Sequence, residues 1–148
     1  MKYLYYPGCS LEGTAEEYDI SVRAVLESLG AELVELKDWS CCGASAAEAV
    51  SSLLSLSLPA VNLAIAETMD GSKDLLVPCS ACYLNLKKVE EKTRADPDLR
   101  NLLNRILEEK SLRLKGMIRV RHLLDVMARD IGPEPIRQGL ERSLHGFS

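Results

Sequence analysis

The amino-acid sequence predicts an α/β fold in which helices cover both faces of a short, mainly parallel sheet, giving a three-layer sandwich. Short apolar segments alternate with longer segments of helical periodicity, which is the pattern of βαβ units. Cysteines follow the predicted strands, and the carboxyl ends of parallel strands share one edge of a sheet. The 148 residues, 47% of them hydrophobic, suffice for one core and are too few for two ordinary domains, so residues 1–148 are predicted to form a single domain.

The first βα unit is predicted at the N-terminus. Lys2–Tyr6 is short, apolar and aromatic, which favours a buried strand. Thr14 and Glu17 have the spacing of a capping box, so we expect a helix to begin there and to end before Gly30. Glu32–Leu36 is then predicted to be the second strand.

A second helical region and a third strand follow. Ser45 and Glu48 again have the spacing of a capping box, which predicts the start of an Ala- and Leu-rich helix. Pro59 is expected to kink or restart this helix, because proline lacks the backbone N–H. Asp74–Val77 is predicted to be the third strand, and a helix carrying Leu86 follows it.

The last third of the chain contains the clearest helix. Asp96 is a good capping residue, Pro97 suits the first helical position, and leucines follow at helical spacing. Met117–Arg121 is predicted to be the fourth strand, with a helix after it that Gly132 ends. Glu134–Leu144 is predicted to be weakly helical.

Composition excludes some classes of partner. The net charge is −4, and lysine and arginine are dispersed, so no basic stripe suited to nucleic acid is present. No apolar segment approaches the roughly 20 residues that span a bilayer, and the N-terminus lacks the pattern of a signal peptide. We therefore expect a cytoplasmic protein that binds no nucleic acid and does not insert into membranes.

Five cysteines are the main functional signal. In a reducing cytoplasm they are expected to be thiols that bind a cofactor or react, and their odd number argues against complete pairing. Because they follow three predicted parallel strands, they should gather at one edge of the sheet. The candidate ligands are Cys9, Cys41, Cys42, Cys79 and Cys82.

Thiolates at this density favour a soft metal, either zinc or an iron–sulfur cluster. Either would ordinarily take four protein ligands, so a fifth cysteine is spare or the cluster presents more positions to sulfur. The adjacent side chains of Cys41 and Cys42 should diverge, so they cannot easily bind one small ion together but can reach different irons of a larger cluster. Gly43 lets the backbone pass close to the cofactor or turn into a helix. Cys79 and Cys82 lie on a strand-to-helix turn, where the helix dipole favours thiolate. The alternative interpretation is that the five thiols are ordinary core packing.

Three blocks of sequence together resemble the CCG family, in particular the N-terminal half of the B subunit of heterodisulfide reductase. They are Tyr6-Pro7-Gly8-Cys9-Ser10, Trp39-Ser40-Cys41-Cys42-Gly43 and Val77-Pro78-Cys79-Ser80-Ala81-Cys82-Tyr83, and the similarity continues through Val120–Asp125. A CxxC motif alone would be weak evidence, whereas five cysteines in matching order are specific. The resemblance covers essentially the whole chain.

The resemblance implies that the five cysteines hold a [4Fe–4S] cluster of the noncubane type. It also implies a flavin-containing subunit and a ferredoxin-like subunit as partners. In that family the motif occurs twice per chain, and a small disulfide substrate is cleaved between the two clusters. This chain carries the motif once, so we expect residues 1–148 to be one domain of a two-domain subunit and to be inactive in isolation. Protein prepared in air is expected to lose the cluster and could contain zinc.

Three hypotheses about function remain at the level of the sequence. The first is a component of a heterodisulfide reductase-like enzyme that delivers electrons to a CoM-S-S-CoB type disulfide. The second is a non-catalytic electron relay or anchor in another oxidoreductase complex, and the third is a structural zinc domain. His122, at the end of the fourth predicted strand, is a candidate proton donor to a leaving thiolate, although a structural histidine is the simpler interpretation.

Overall fold

Four short parallel strands form the centre of the structure, a computed structural model that describes residues 1–140. Their order in the sheet is β2-β1-β3-β4, and every neighbouring pair among them is parallel. The strands are β1 (Lys2–Tyr5), β2 (Glu32–Glu35), β3 (Asp74–Val77) and β4 (Arg119–His122).

Helices connect the strands and cover the sheet. The α-helices of the described residues are α1 (Glu16–Ser28), α2 (Ala46–Val50), α3 (Ser52–Thr68), α4 (Ser80–Ala95), α5 (Pro97–Leu107), α6 (Leu123–Val126) and α7 (Pro133–Gln138). A 3₁₀ turn (Glu108–Lys110) follows α5, and a π-helical turn (Met127–Ile131) follows α6. Within residues 1–140, none of these helices has the length and hydropathy that a membrane span requires.

Both faces of the sheet are buried. Tyr3 and Tyr5 of β1 face α1 and α6, whereas Leu4 faces α3, α4 and α5. Leu75, Leu76 and Val77 of β3 are completely buried, as is typical of a central strand in a parallel sheet. The predicted three-layer α/β sandwich is therefore confirmed.

The strand order places a topological switch point between β1 and β3. The chain leaves β1 for β2 on one side, and it leaves β3 for β4 on the other. Loops that leave the carboxyl ends of β1 and β3 therefore separate, which opens a crevice at that edge of the sheet. Cys9 and Cys79 follow these two strand ends, and Cys41 and Cys42 follow the carboxyl end of β2.

Two of the predicted capping boxes are wrong. The residue that precedes α1 is Ala15, and Thr14 makes no capping hydrogen bond, because turns from Ser10 to Ala15 occupy this segment. Ser45 precedes α2 but has helical backbone angles, so its hydroxyl does not reach the free N–H groups. Ser51 instead has an extended backbone, and its Oγ accepts from the N–H of Leu53 at 3.2 Å.

The interruption expected at Pro59 occurs earlier in the chain. Helix α3 continues through Pro59 to Thr68, and the break lies at Ser51, so the predicted restart at Pro59 is wrong. The predicted cap of α5 is confirmed, since Asp96 Oδ1 accepts from the N–H groups of Asp98 and Leu99 at 2.9 and 3.0 Å.

Strand β4 begins two residues later than predicted. The buried carboxylate of Glu67 in α3 accepts hydrogen bonds from the backbone N–H groups of Lys115, Gly116 and Met117 at 2.6 to 2.7 Å. This segment therefore bonds to α3 instead of the sheet. The predicted C-terminal helix is present as α7, and residues 141–144 of that prediction lie outside the described residues.

Candidate functional site

Each of the three cysteine segments leaves the carboxyl end of a strand. Cys9 follows β1, Cys41 and Cys42 follow β2, and Cys79 follows β3 as the residue that precedes α4. Cys82 lies in the first turn of α4. The parallel sheet thus directs segments that are distant in sequence to one edge, at the switch point.

Four of the five sulfurs form two close pairs. The Sγ atoms of Cys42 and Cys82 are 3.3 Å apart and buried, and those of Cys9 and Cys41 are 3.6 Å apart in two exposed residues. The adjacent side chains of Cys41 and Cys42 therefore diverge toward different partners. One pair lies within the core and the other lies at the surface.

Cys79 is half-buried and lies beside Cys82, whose pKa its thiol helps to raise. Cys79 also packs against the larger core cluster. Among residues 1–140, no three side chains of His, Cys, Asp or Glu are arranged to hold a single metal ion.

Two glycines permit the close packing around the sulfurs. Gly8 has a φ of +77°, and a Cβ atom there would lie 2.7 Å from Cys82 Sγ. Gly43 has a φ of +84°, and a Cβ atom there would lie 2.7 Å from the Cβ of Ala47 and 2.8 Å from Leu58 Cδ1. A side chain at Gly8 would collide with Cys82 Sγ, whereas Gly43 allows the chain to turn tightly into α2.

Polar side chains fix both ends of the segment Ser40–Ala44, which we call the CCG loop. Asn62 of α3 is fully buried; its Oδ1 accepts from the Ser40 N–H and its Nδ2 donates to the Ser40 carbonyl, both at 2.9 Å. The hydroxyl of Tyr6 donates to the same carbonyl at 2.7 Å. At the other end, Asn85 Nδ2 donates to the Ala44 carbonyl at 3.1 Å and lies 3.7 Å from Cys42 Sγ.

The sequence analysis did not identify either asparagine as part of the site. Two signals were available. Asn62 is an amide within the apolar stretch of α3, and Asn85 is three residues after Cys82, which places both on the same face of α4.

The hydrogen bond within the buried sulfur pair shifts the pKa values of its two thiols in opposite directions. The hydrogen bond with Cys82, together with those from the Ala44 N–H and the Asn85 amide, outweighs burial and lowers the pKa of Cys42 to about 6. The same hydrogen bond to Cys42, followed by burial and the negative charge of Cys42, raises the pKa of Cys82 far above that of a free thiol. The helix dipole was predicted to favour thiolate at Cys82, whereas the hydrogen bond with Cys42 and burial act in the opposite direction on this thiol.

The exposed sulfur pair behaves differently. The Gly43 N–H donates to Cys41 Sγ at 3.4 Å and lowers the pKa of Cys41. Burial and the neighbouring Cys9 thiol together outweigh that hydrogen bond, so the net pKa of Cys41 is raised.

Two aromatic side chains pack next to the CCG loop. Tyr6 is completely buried and its ring meets that of Trp39 edge-on, with 5.2 Å between centroids. Burial raises the pKa of Tyr6, and the nearby cysteines, with Cys82 first, raise it further, so the phenol stays protonated and donates to the CCG loop. Trp39 Nε1 donates to the Glu35 carboxylate at 3.3 Å, and its half-buried indole ring packs against Tyr6.

His122 lies at the carboxyl end of β4, as predicted. Its Nδ1 accepts from the Leu124 N–H at 3.3 Å, which caps α6, and its ring meets that of Tyr83 at 66° with 5.2 Å between centroids. The Nε2 atom is buried and has no hydrogen-bond partner within residues 1–140. The structure gives His122 a capping function, and its predicted role as a proton donor remains a prediction.

Large apolar side chains are exposed on the helices that begin at the cysteine edge. These helices follow the carboxyl ends of β2, β3 and β4, which lie at the same edge of the sheet as the cysteines. The exposed fractions range from 37% to 77%. We call this set the apolar rim: Val50, Leu53, Leu54, Leu84 and Leu124.

Comparison with protein-family models identifies the domain. The model of the CCG cysteine-rich domain matches residues 3–87, from β1 into α4, and so includes all five cysteines. The chain belongs to the CCG cysteine-rich domain family. The predicted family is therefore confirmed.

Curated relatives of this CCG domain are named as oxidoreductase subunits or as similar to one. It is 35% identical over 130 residues to the 8-methylmenaquinol:fumarate reductase membrane anchor subunit of Wolinella succinogenes, covering 88% of this chain and 44% of that protein. It is 28% identical over 149 residues to a protein of Archaeoglobus profundus that is named as similar to the heterodisulfide reductase B subunit, covering 100% and 49%. It is 26% identical to the B subunit of the ferredoxin/F(420)H(2)-dependent CoB-CoM heterodisulfide reductase of Methanosarcina acetivorans, covering 92% and 45%. The chain spans slightly less than half the length of each of these relatives.

A solved structure shares the fold of the CCG domain. A hypothetical protein from Helicobacter pylori superposes with a TM-score of 0.71 at 21% identity, covering 82% of this chain and 24% of that one. At this identity the similarity supports the architecture alone.

Proposed function

We propose that this CCG domain is an iron–sulfur domain of an oxidoreductase complex, in which Cys9, Cys41, Cys42, Cys79 and Cys82 hold a [4Fe–4S] cluster of the noncubane type. The observation that supports the proposal most directly is the divergence of the adjacent cysteines of the CCG loop. One joins a buried sulfur pair and the other joins an exposed pair. Such an arrangement suits a ligand set spread over several irons better than one centred on a single ion.

The surroundings of the sulfurs fit a cluster of this kind. Thiolates are soft ligands that suit iron–sulfur clusters. The Gly43 N–H and the Asn85 amide point at cysteine sulfurs, which is how proteins stabilise the negative charge of bound clusters. Gly8 removes a side chain that would otherwise collide with Cys82 Sγ.

Each part of the chain would have a defined task in this function. When bound, the cluster would supply one-electron transfer. Asn62 and Tyr6 hold the CCG loop in place through Ser40, and the completely buried Tyr6 keeps water from the inner side of the site. The exposed Cys9 and Cys41 are the thiols closest to a partner or substrate.

We propose electron transfer to a disulfide of the CoM-S-S-CoB type as the activity of the intact protein. Two of the relatives are heterodisulfide reductase B subunits by name, or similar to one. The full activity would require a second domain, a flavin-containing subunit and a ferredoxin-like subunit. Five free thiols suit a reducing compartment, so we place the protein in the cytoplasm.

A second function has a specific observation in its favour. The relative with 35% identity is a membrane anchor subunit of a fumarate reductase by name. In such a complex the same cluster would be an electron relay or a structural anchor instead of the site of disulfide cleavage.

Metal and sulfide analysis tests the cluster. We expect the chain, reconstituted under anaerobic conditions, to bind about four irons and four sulfides. Replacement of any of the five cysteines by serine should lower the iron content. Ser80→Ala provides the control, because Ser80 lies between Cys79 and Cys82 and carries no thiol. One zinc per chain with no sulfide would contradict the proposal and favour a structural zinc domain.

Anaerobic purification of the tagged protein from its source distinguishes the two functions. Co-purification of flavin and of ferredoxin-like subunits in the cytoplasmic fraction supports the disulfide reductase. Recovery in the membrane fraction together with a fumarate reductase or a related dehydrogenase supports the electron relay or anchor.

A further inference from the structure

Asn85 connects helix α4 to the CCG loop. It lies one turn after Cys82, so the two side chains lie on the same face of α4. Its Nδ2 atom is 3.1 Å from the Ala44 carbonyl oxygen and 3.7 Å from Cys42 Sγ. Within residues 1–140, no side-chain amide other than that of Asn85 donates to a cysteine sulfur.

The loop that Asn85 contacts has an unusual backbone. Gly43 and Ala44 have consecutive positive φ angles, +84° and +41°. Ala44 carries a Cβ atom, so this conformation is unfavourable unless neighbouring groups hold it. In this loop the Gly43 N–H points at Cys41 Sγ at 3.4 Å.

The two asparagines of the site make different contacts. Asn62 contacts Ser40 and the backbone of its own helix, and none of its hydrogen bonds reaches a sulfur. Asn85 holds the loop through Ala44 and also donates to Cys42. Fixing the loop requires only the contact with Ala44, so the contact with Cys42 Sγ indicates a second role for Asn85.

We propose that Asn85 is a positioning residue that raises the reduction potential of the cluster through its N–H···S hydrogen bond to Cys42. This inference rests on the proposed function. A reduced cluster carries more negative charge than an oxidised one, so a donor to a ligand sulfur stabilises the reduced state more. Loss of the donor therefore makes reduction harder.

Four variants test this inference. Asn85→Leu removes the donor at similar size, Asn85→Asp replaces the donor by a negative charge, and Asn85→Gln keeps an amide. Asn101→Leu is the matched control, since Asn101 is an exposed residue of α5. Spectroelectrochemical titration of the cluster-loaded proteins should give a potential that becomes more negative from wild type to Asn85→Leu and further to Asn85→Asp. Asn85→Gln should recover part of the shift, and Asn101→Leu should match wild type.

Unchanged potentials in Asn85→Leu and Asn85→Asp would overturn the inference. Iron and sulfide content, measured first on the wild type, reports separately on the proposed function. Hydrogen exchange of the backbone amides from Ala44 to Ala47 in cluster-free protein gives a second measurement. Asn85→Leu should speed this exchange, because the carbonyl of Ala44 loses its donor, and an unchanged exchange rate would also contradict the positioning role.

Discussion

At the scale of single residues, the two cysteines of the CCG loop are not equivalent. Cys42 is 1% exposed, and its hydrogen bond with Cys82 lowers its pKa to about 6. Cys41 is exposed, pairs with Cys9, and has a raised pKa. The motif therefore supplies one ligand that is fixed within the core and one that faces outward.

Gly8 provides a sharp test of how tightly the site is packed. Gly8→Ala should lower the free energy of unfolding by about 3 kcal/mol, of which about 1 kcal/mol comes from the positive φ and the rest from overpacking against Cys82. The variant should also bind less iron. Chemical denaturation and iron analysis measure the two effects.

Gly30→Ala is the matched control for Gly8→Ala. The φ angles of the two glycines are +78° and +77°, but a Cβ atom at Gly30 meets no atom within 4 Å. This control should lose about 1 kcal/mol of stability and keep its iron. Equal losses of unfolding free energy in the two variants would show that the positive φ alone causes the destabilisation. They would also show that Gly8 is not needed to leave room for Cys82 Sγ.

The sequence predicted which cysteines are candidate ligands, but it did not predict the residues that hold them. The cysteines are recognisable because they follow strand ends that a parallel sheet brings together. The partner of Asn85 is 43 residues away, and that of Asn62 is 22 residues away. Hydrogen bonds between such distant residues depend on how α3 and α4 pack, which no local pattern encodes.

At the scale of secondary-structure elements, an ion-pair network fastens β4 to the helical segment that follows it. The buried guanidinium of Arg121 donates to Asp125 and, at 2.9 Å, to Asp130. Tyr3 of β1 donates to Asp130 at 2.7 Å. The hydrogen bond from Arg121 holds the pKa of Asp130 below its ordinary value, against the opposing effect of burial.

Asp130→Asn should show a stability loss that depends on pH. Because the pKa of Asp130 is lowered on folding, its contribution is fully present above the ordinary carboxyl value of 3.8 and is lost as the pH falls through the lower folded value. We expect a loss of about 1 kcal/mol at pH 7, a value reduced from that of a buried charged hydrogen bond because Asp130 is partly exposed. The difference from wild type should shrink below about pH 4, as measured by denaturation across pH.

Asp70→Asn is the control for that series. Asp70 is exposed and has no ion-pair partner within residues 1–140. Its substitution should leave stability unchanged at every pH. A loss for Asp130→Asn that stayed constant from pH 7 to pH 3 would contradict the assignment of the effect to the ionised carboxylate.

The element boundaries show which parts of the fold follow from local sequence. The start of α5 was predicted because Asp96 and Pro97 act on their immediate neighbours. The start of β4 was misplaced because Glu67, about 50 residues earlier, takes the N–H groups of residues 115–117. Local signals thus predict a boundary only when no distant side chain competes for the same backbone groups.

At the scale of the whole molecule, the cysteine edge combines exposed thiols with exposed apolar side chains. Cys9 and Cys41 are exposed, and the apolar rim lies on the helices around them. Exposed apolar side chains near a functional site are a common feature of interfaces. The chain also spans only 44% to 49% of the curated relatives described above. These observations agree with a site that a second domain completes.

The proposal that a second domain completes the site leads to a prediction about activity. Cleavage of a disulfide requires two electrons, whereas one cluster of this kind transfers one electron at a time. The cluster-loaded chain, supplied with a reduced viologen, should therefore consume a CoM-S-S-CoB type disulfide no faster than the background reaction. The electron paramagnetic resonance signal of the cluster, recorded before and after the assay, serves as the control, because an intact signal shows that inactivity does not arise from cluster loss. Sustained disulfide consumption by this chain alone would mean that one CCG domain is sufficient, and that the relatives use their additional length for some other purpose than completing the site.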